Sequence, residues 1–289
     1  CNLCYIISKI IEKDLMNSIN CKGKLLSLDE PVVMGIINAT PDSFYEGHLE
    51  LNIDEITALA GKMIQDGAAI IDIGGLSTRP GSNPVSAAEE TDRVLPVIEA
   101  IHKIYPEIIL SIDTYNSQVA RAAVNSGASI INDISGGNLD QDMLSTAAGL
   151  QVPYICMHMQ GTPATMQQAP VYNHVVREVL DFFIAKIDDC TKAGIKDVII
   201  DPGFGFGKTI DHNFQLLKAL AVLSITNKPI LAGLSRKSTI YKTLGVTAAD
   251  ALNGTTVLNT MALLNGASIL RVHDVKEAVE VVKLIQSIK

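Results

Sequence analysis

Eight short apolar runs in this chain each end in a side chain that can do chemistry. In order, the polar groups are Asn38, Asp72, Asp113, Asn132 with Asp133, His158, Asp201, Ser235 followed by Lys237, and Arg271 with His273. Asp and Asn in such places commonly cap helices or make turns, but caps call for neither Lys, Arg nor His. The set divides into two chemical kinds. Asp113, Asn132 and Asp201 are acceptors or amides, and a carboxylate can take two parallel N–H bonds from a flat partner, as it does from arginine. That suits the edge of an aminopyrimidinone, which presents a ring N–H beside an exocyclic amine. Asn38, Arg271 and His273, with Arg79 and Lys237 near them, suit an anion such as a phosphate with its metal. The expectation is a division of labour, with carboxylates for a heterocycle and Arg271 for the anion.

A second candidate is "IIDPGFGFGKT", Ile199 to Thr209, which ends in Gly-Lys-Thr as a nucleotide P-loop does. A P-loop needs glycine five positions before that Gly, so that backbone N–H groups cradle the phosphates. Here that position is Pro202, which has no N–H and a fixed φ. The stretch is therefore a strand ending in Asp201, a Pro-Gly turn and a glycine-rich loop.

The elements that must position these residues are legible. The runs "VVMGIIN" (32–38), "AIIDIGG" (69–75), "IILSIDT" (108–114), "SIINDIS" (129–135), "PYICMHM" (153–159), "DVIIDPG" (197–203), "PILAGLS" (229–235) and "SILRVHD" (268–274) are near-continuously apolar, as parallel strands covered on both faces are. Helical spacing lies between them: in "NIDEITALAGKMIQDG", Ile53, Ile56, Leu59, Ala60, Met63 and Ile64 share a face. "HVVREVLDFFIAKIDDCTKAG" reads likewise and stops at Gly194. Eight strands alternating with helices over roughly 250 residues fit a closed (β/α)8 barrel better than a doubly wound sheet, whose first strand is normally followed by Gly-x-Gly-x-x-Gly. In such barrels the active site lies at the C-terminal strand ends. The barrel is expected over 31–289, with 1–30 as an extension and lead-in. Met16 could be a natural start, which would make 1–15 an upstream segment.

Composition narrows the function classes. The chain has 289 residues, 47% hydrophobic and 19% charged, as suits a soluble globular protein. A net charge of −8 argues against nucleic acid as a partner but permits a local anion site. No apolar run approaches a membrane span. The five cysteines include a lone Cys1-x-x-Cys4 with no second pair, and read as free thiols of a reducing cytoplasm.

"MGIINATPDSF", "IDIGGLSTRPG", "SIDT", "INDIS", "MHMQGTPATMQ", "DPGFGFGK", "LSRKS" and "RVHDVKE" occur in this order from residue 32 to about 280. Together they resemble the dihydropteroate synthase family of folate biosynthesis. The resemblance implies a transferase with a (β/α)8 barrel that joins a dihydropterin methyl diphosphate to 4-aminobenzoate and releases diphosphate, with Mg²⁺ and a homodimer. Carried over by residue, it places Thr78, Asp113, Asn132, Asp201, Phe206 and Lys237 at the pterin. Phe44, Thr78, Arg79 and Ser235 fall at the aminobenzoate, and Asn38, Arg79, Arg271 and His273 at the diphosphate, with Asn38 linked to the metal. Glu46, Arg79, Lys237, Arg271 and His273 would carry the reaction. Gly203, Gly205 and Gly207 would let backbone and Phe206 approach the pterin ring.

Two departures stand out. Leu76 replaces the family's glutamate in "GGLSTRPG", and the first loop reads Phe44-Tyr45-Glu46-Gly47-His48 where a second glycine is usual. Two rivals share the barrel. A pterin-binding methyltransferase domain should lack the diphosphate set; an inactive pterin-binding module should bind without turnover. The Gly-, Pro-, Ser- and Asn-rich loops 39–51 and 76–88 also lead to an expectation of ordered binding, with 4-aminobenzoate following the pterin diphosphate.

Overall fold

Continuous β-branched runs leave no face to water, and in the protein's computed structural model they become parallel strands covered on both sides. Residues 18–40, 52–76, 85–163, 165–166 and 170–288 are described. The chain opens with a hairpin, β1 (Ser18–Cys21) and β2 (Lys24–Ser27), followed by β3 (Val32–Asn38), α1 (Ile53–Gln65), β4 (Ile70–Gly74), α2 (Ala87–Ile104), β5 (Ile109–Asp113) and α3 (Ser117–Asn125). Then come β6 (Ile130–Asp133), α4 (Met143–Leu150), β7 (Tyr154–Met157), α5 (Val175–Ala193), β8 (Val198–Asp201) and α6 (Ile210–Lys218). A 3-10 segment (Leu220–Thr226), β9 (Leu231–Ala232), α7 (Ser238–Leu244), α8 (Leu252–Leu264), β10 (Ile269–Val272) and α9 (Val275–Gln286) complete it.

The eight strands lie in the order β8-β7-β6-β5-β4-β3-β10-β9. A parallel bridge between Ile200 and Ile230 joins the two ends into a barrel. The expected run at 229–235 keeps only Leu231–Ala232 as strand, because Pro229 has no N–H to give and Gly233 no side chain to pack.

Alternation fixes what fills the barrel. Met34, Ile70, Ile109, Ile130, Ile155, Ile199, Leu231 and Ile269, one from each strand, form a single buried cluster with Ile19, Cys21 and Leu28. The lead-in before residue 31 thus contains a hairpin whose apolar face closes one end of the barrel. Its turn, Lys22-Gly23, has positive φ at both residues, as a two-residue hairpin loop requires. The helices cover the outside. In α1 the buried face is Ile56, Thr57, Ala60 and Met63; Leu59, expected on it, lies at its margin and is exposed. Gly194 ends α5 in the left-handed conformation, as expected.

Candidate active site

Two residues further along each strand, the inward layer changes character. Above the apolar ring it comprises Ile36, Asp72, Ser111, Asn132, Met157, Asp201, Gly233 and Arg271. Period two therefore sends the polar strand ends into the barrel mouth rather than to the helices. At its centre, Arg271 Nε donates to Asp72 Oδ2 at 2.6 Å and Nη2 to Asp113 Oδ2 at 2.6 Å. Asn132 Nδ2 donates to the same Asp72 oxygen at 3.0 Å. Asp72 is fully buried, and its Oδ1 has no partner among the described groups. Arg271 Nη1 makes no hydrogen bond among the described residues.

The electrostatics follow from three carboxylates sharing a desolvated mouth. Burial pushes Asp113 up to about 7, against the pull of Arg271 and with help from Asp72. Burial also raises Asp201, against Lys237. Lys237 is held down at about 8 by burial, which outweighs the opposing Asp201. A Cβ placed on Gly233 would stand 3.6 Å from Lys237 Nζ and 4.0 Å from Asp201 Oδ2, so the absent side chain leaves space between the two charges. The ring of Phe206 lies 4.7 Å from Lys237 Nζ, and the ammonium also donates to the Phe204 carbonyl. A flat ring with N–H groups on its edge fits this arrangement of acceptors, cation and aromatic face.

Arg271 is not given over to an anion alone. Its guanidinium is the counter-charge of Asp72 and Asp113, so the two halves of the expected division of labour are physically coupled. Ser235, expected at the aminobenzoate carboxylate, has its hydroxyl against His273. It accepts from the His273 N–H at 3.2 Å and lies 3.0 Å from Nδ1. With one O–H donor and two acceptor lone pairs, the hydroxyl can serve both the backbone N–H and Nδ1, whichever ring nitrogen carries the proton. Partial burial and Arg271 hold this imidazole below its usual range. Asn38 ends β3 exposed at the barrel mouth.

Two glycines of the loop after β8, Gly203 and Gly207, answer to the neighbouring loop as well. Gly203, Gly205 and Gly207 all have positive φ. A Cβ on Gly203 would lie 2.0 Å from the His158 carbonyl oxygen, and one on Gly207 2.4 Å from that of Gln160. At these two positions the neighbouring loop, after β7, demands glycine, whereas a Cβ on Gly205 would meet the Lys237 stem at 3.3 Å.

Phe44, Glu46, Thr78 and Arg79 lie outside the described residues, as does most of both loops that carry them. Leu76, at the root of the second loop, is half-buried. Asp133 serves as a loop anchor, accepting from Ser135 and Gly137 N–H groups and from the Tyr154 hydroxyl. His158 is buried edge-on to Phe182, and desolvation keeps it neutral. Cys156 is core, its thiol raised well above the usual range by burial.

The sequence places Asp72 at a strand end without a role, and Arg236 escaped the sequence reading. Asp72 ends an apolar run like its neighbours, but its central place depends on partners 60 and 199 residues away. Arg236, between Ser235 and Lys237, adopts a positive φ of 53°. A bidentate pair with Asp274, 2.8 Å at each oxygen, and a bond from its N–H to Thr255 hold it there. That strained backbone turns Ser235 and Lys237 toward the barrel mouth.

A parallel barrel whose open strand ends gather three carboxylates, an amide and two cations defines an α/β enzyme that binds a flat polar ring beside an anion. The chain belongs to the pterin-binding enzyme family, which its residues 34–273 match. It is 45% identical over 268 residues to the dihydropteroate synthase of Escherichia coli (strain K12), covering 92% of this chain and 94% of that protein. Among solved structures, the Xanthomonas albilineans dihydropteroate synthase with 4-aminobenzoic acid superposes with a TM-score of 0.88 at 40% identity, covering 94% of this chain and 98% of that one. The Yersinia pestis dihydropteroate synthase in a sulfonamide drug complex gives 0.89 at 41%, with the same coverage.

Proposed function

We propose that this protein is a dihydropteroate synthase, a transferase that condenses (7,8-dihydropterin-6-yl)methyl diphosphate with 4-aminobenzoate to give 7,8-dihydropteroate and diphosphate. The observation that carries the reading is the arrangement of Asp113, Asn132, Asp201, Lys237 and Arg271 at one barrel mouth, in a chain similar to these enzymes along nearly its whole length. In this scheme Asp201 and Asp113 accept from the aminopyrimidinone edge, Lys237 meets a carbonyl or ring nitrogen, and Phe206 covers the ring. The methylene-to-oxygen bond breaks with its electron pair leaving on diphosphate. The resulting cation is delocalised into the pterin, and the aminobenzoate nitrogen attacks it and then loses a proton. Arg271 through its remaining amine, His273 and Arg79 favour the leaving group electrostatically, while Glu46 shields the cation. Phe44, Thr78 and Arg79 would complete the aminobenzoate pocket with Ser235. No covalent nucleophile is needed.

Mg²⁺ typically takes one or two protein oxygens together with substrate phosphates and water, and the exposed Asn38 amide fits that mode. Among the described residues no group of three or more His, Cys, Asp or Glu could cage a metal. Bound with the diphosphate, the ion would neutralise leaving-group charge. Homodimerisation is supported by α8, where Val257, Met261 and Leu264 at helical spacing are all exposed, with Leu244 at the end of α7 and Val246 just past it also exposed. A cytoplasmic site suits the buried free thiols of Cys21, Cys156 and Cys190. No helix among the described residues is long and apolar enough to cross a membrane.

The test is diphosphate release from the pterin diphosphate, with and without 4-aminobenzoate. Release together with dihydropteroate, dependent on 4-aminobenzoate, is the expected outcome. Pterin binding without turnover would favour the inactive module, and pterin binding without diphosphate recognition the methyltransferase domain.

A further inference from the structure

The Gly-Lys-Thr after β8 is not a phosphate loop, which leaves Lys208 without a role. Its side chain turns inward and is 4% exposed. The amine lies 2.9 Å from His158 Nδ1, 3.3 Å from the His158 carbonyl, 3.0 Å from that of Gly203 and 3.1 Å from that of Phe206. Four acceptors from two loops thus surround one buried amine. Burial lowers this amine to about 7 against the pull of Asp201, and its protonated form offers three N–H donors to the four groups. The two loops approach so closely at Gly203 and Gly207 that no side chain fits between them.

Each acceptor is tied to the pocket. Gly203, whose carbonyl accepts from Lys208, gives its own N–H to Asp201 Oδ1 at 2.7 Å. Phe206, whose carbonyl also accepts, places its ring over Lys237. The His158 N–H bonds to the Asp201 carbonyl at 2.9 Å. We infer that Lys208 is a positioning residue for pterin recognition, an internal hydrogen-bond donor that fixes the loop after β8 so that the Asp201 carboxylate and the Phe206 ring hold their places. The inference rests on the pterin reading above. Without the amine, three carbonyls and an imidazole nitrogen would lose their buried donor, and the loop would have to rearrange to reach water.

Lys208→Met keeps most of the stem and removes the donors. Binding of 6-hydroxymethylpterin, a pterin without phosphates, is measured by calorimetry, and KM is measured for each substrate. The expected result is at least tenfold weaker pterin binding and a raised KM for the pterin diphosphate, with KM for 4-aminobenzoate within twofold of wild type. Native pterin affinity in K208M would overturn the inference whatever the melting temperature, and so would equal increases in both KM values. K208Q, which retains two donors, should recover part of the affinity. If K208M does not fold, K208Q carries the test: at least threefold weaker pterin binding supports the inference, and native affinity overturns it. Failure of the wild-type protein to bind the pterin would overturn the functional reading and this inference together, whereas wild-type binding with unaltered variants defeats the role of Lys208 alone.

Discussion

Replacing Arg271 with Ala leaves Asp72 and Asp113 near one another with their shared counter-charge gone. Both contacts are 2.6 Å, with Asp72 fully buried and the other two side chains less than a fifth exposed. At charge separations near ~4 Å and an effective dielectric of about 20, each pair is worth about 4 kcal/mol of Coulomb attraction. Much of this is offset by desolvation, and removing one partner of a buried pair costs about 3–5 kcal/mol. Asp113 can limit the loss by taking up a proton. Burial already pushes it to about 7 while Arg271 pulls it down, so in R271A it titrates higher still. Above about pH 7 the variant's native state then binds more protons than the wild-type native state does. The stability gap therefore widens as pH rises, by up to about 1.4 kcal/mol per unit. The expected destabilisation is about 3 kcal/mol near neutrality, smaller at pH 6 and larger at pH 8.5. Urea unfolding followed by circular dichroism suits a chain with no tryptophan. A loss below about 1 kcal/mol at every pH, or one that shrinks as pH rises, would refute the reasoning. Because protonated Asp113 is a poorer acceptor, R271A should also weaken a pterin that carries no phosphate.

Asp201→Ala removes a charged acceptor facing a buried donor edge, a loss of roughly 2–5 kcal/mol; calorimetry should detect no pterin binding, and near-native affinity would exclude Asp201 from that edge. Gly233→Ala puts a methyl at ordinary contact distance from Lys237 and Asp201, so stability should hold or rise by up to about 1 kcal/mol. Its pterin affinity should nonetheless fall at least tenfold, and tight binding would show that the ring does not lie over Gly233. Binding of 4-aminobenzoate and of sulfonamides should be negligible in the free protein and strong with pterin and diphosphate present. Tight sulfonamide binding without ligands would show a preformed site.

The sequence alone determined the barrel and the residues at its mouth. Eight apolar runs, each closed by a polar group, fit a barrel better than a doubly wound sheet, since buried parallel strands need apolar residues on both faces and no Gly-x-Gly-x-x-Gly follows the first run. Local rules also located Gly194 and excluded a P-loop at Pro202. The lead-in hairpin was not legible, because a four-residue strand such as Ser18–Cys21 carries too little periodicity and acquires its apolar face only against the barrel end. Tertiary structure alone decided which charges meet. Barrel closure brings Arg271 to Asp113, 158 residues away, and β10 places His273 beside Ser235, pairings that no local pattern encodes. Lys208 looks like part of a phosphate loop, and only the fold sets His158 of the neighbouring loop beside the Gly203 and Phe206 carbonyls around its inward-turned amine. Such pairings depend on burial and on contacts between distant segments, because a desolvated charge must find a partner wherever the fold provides one.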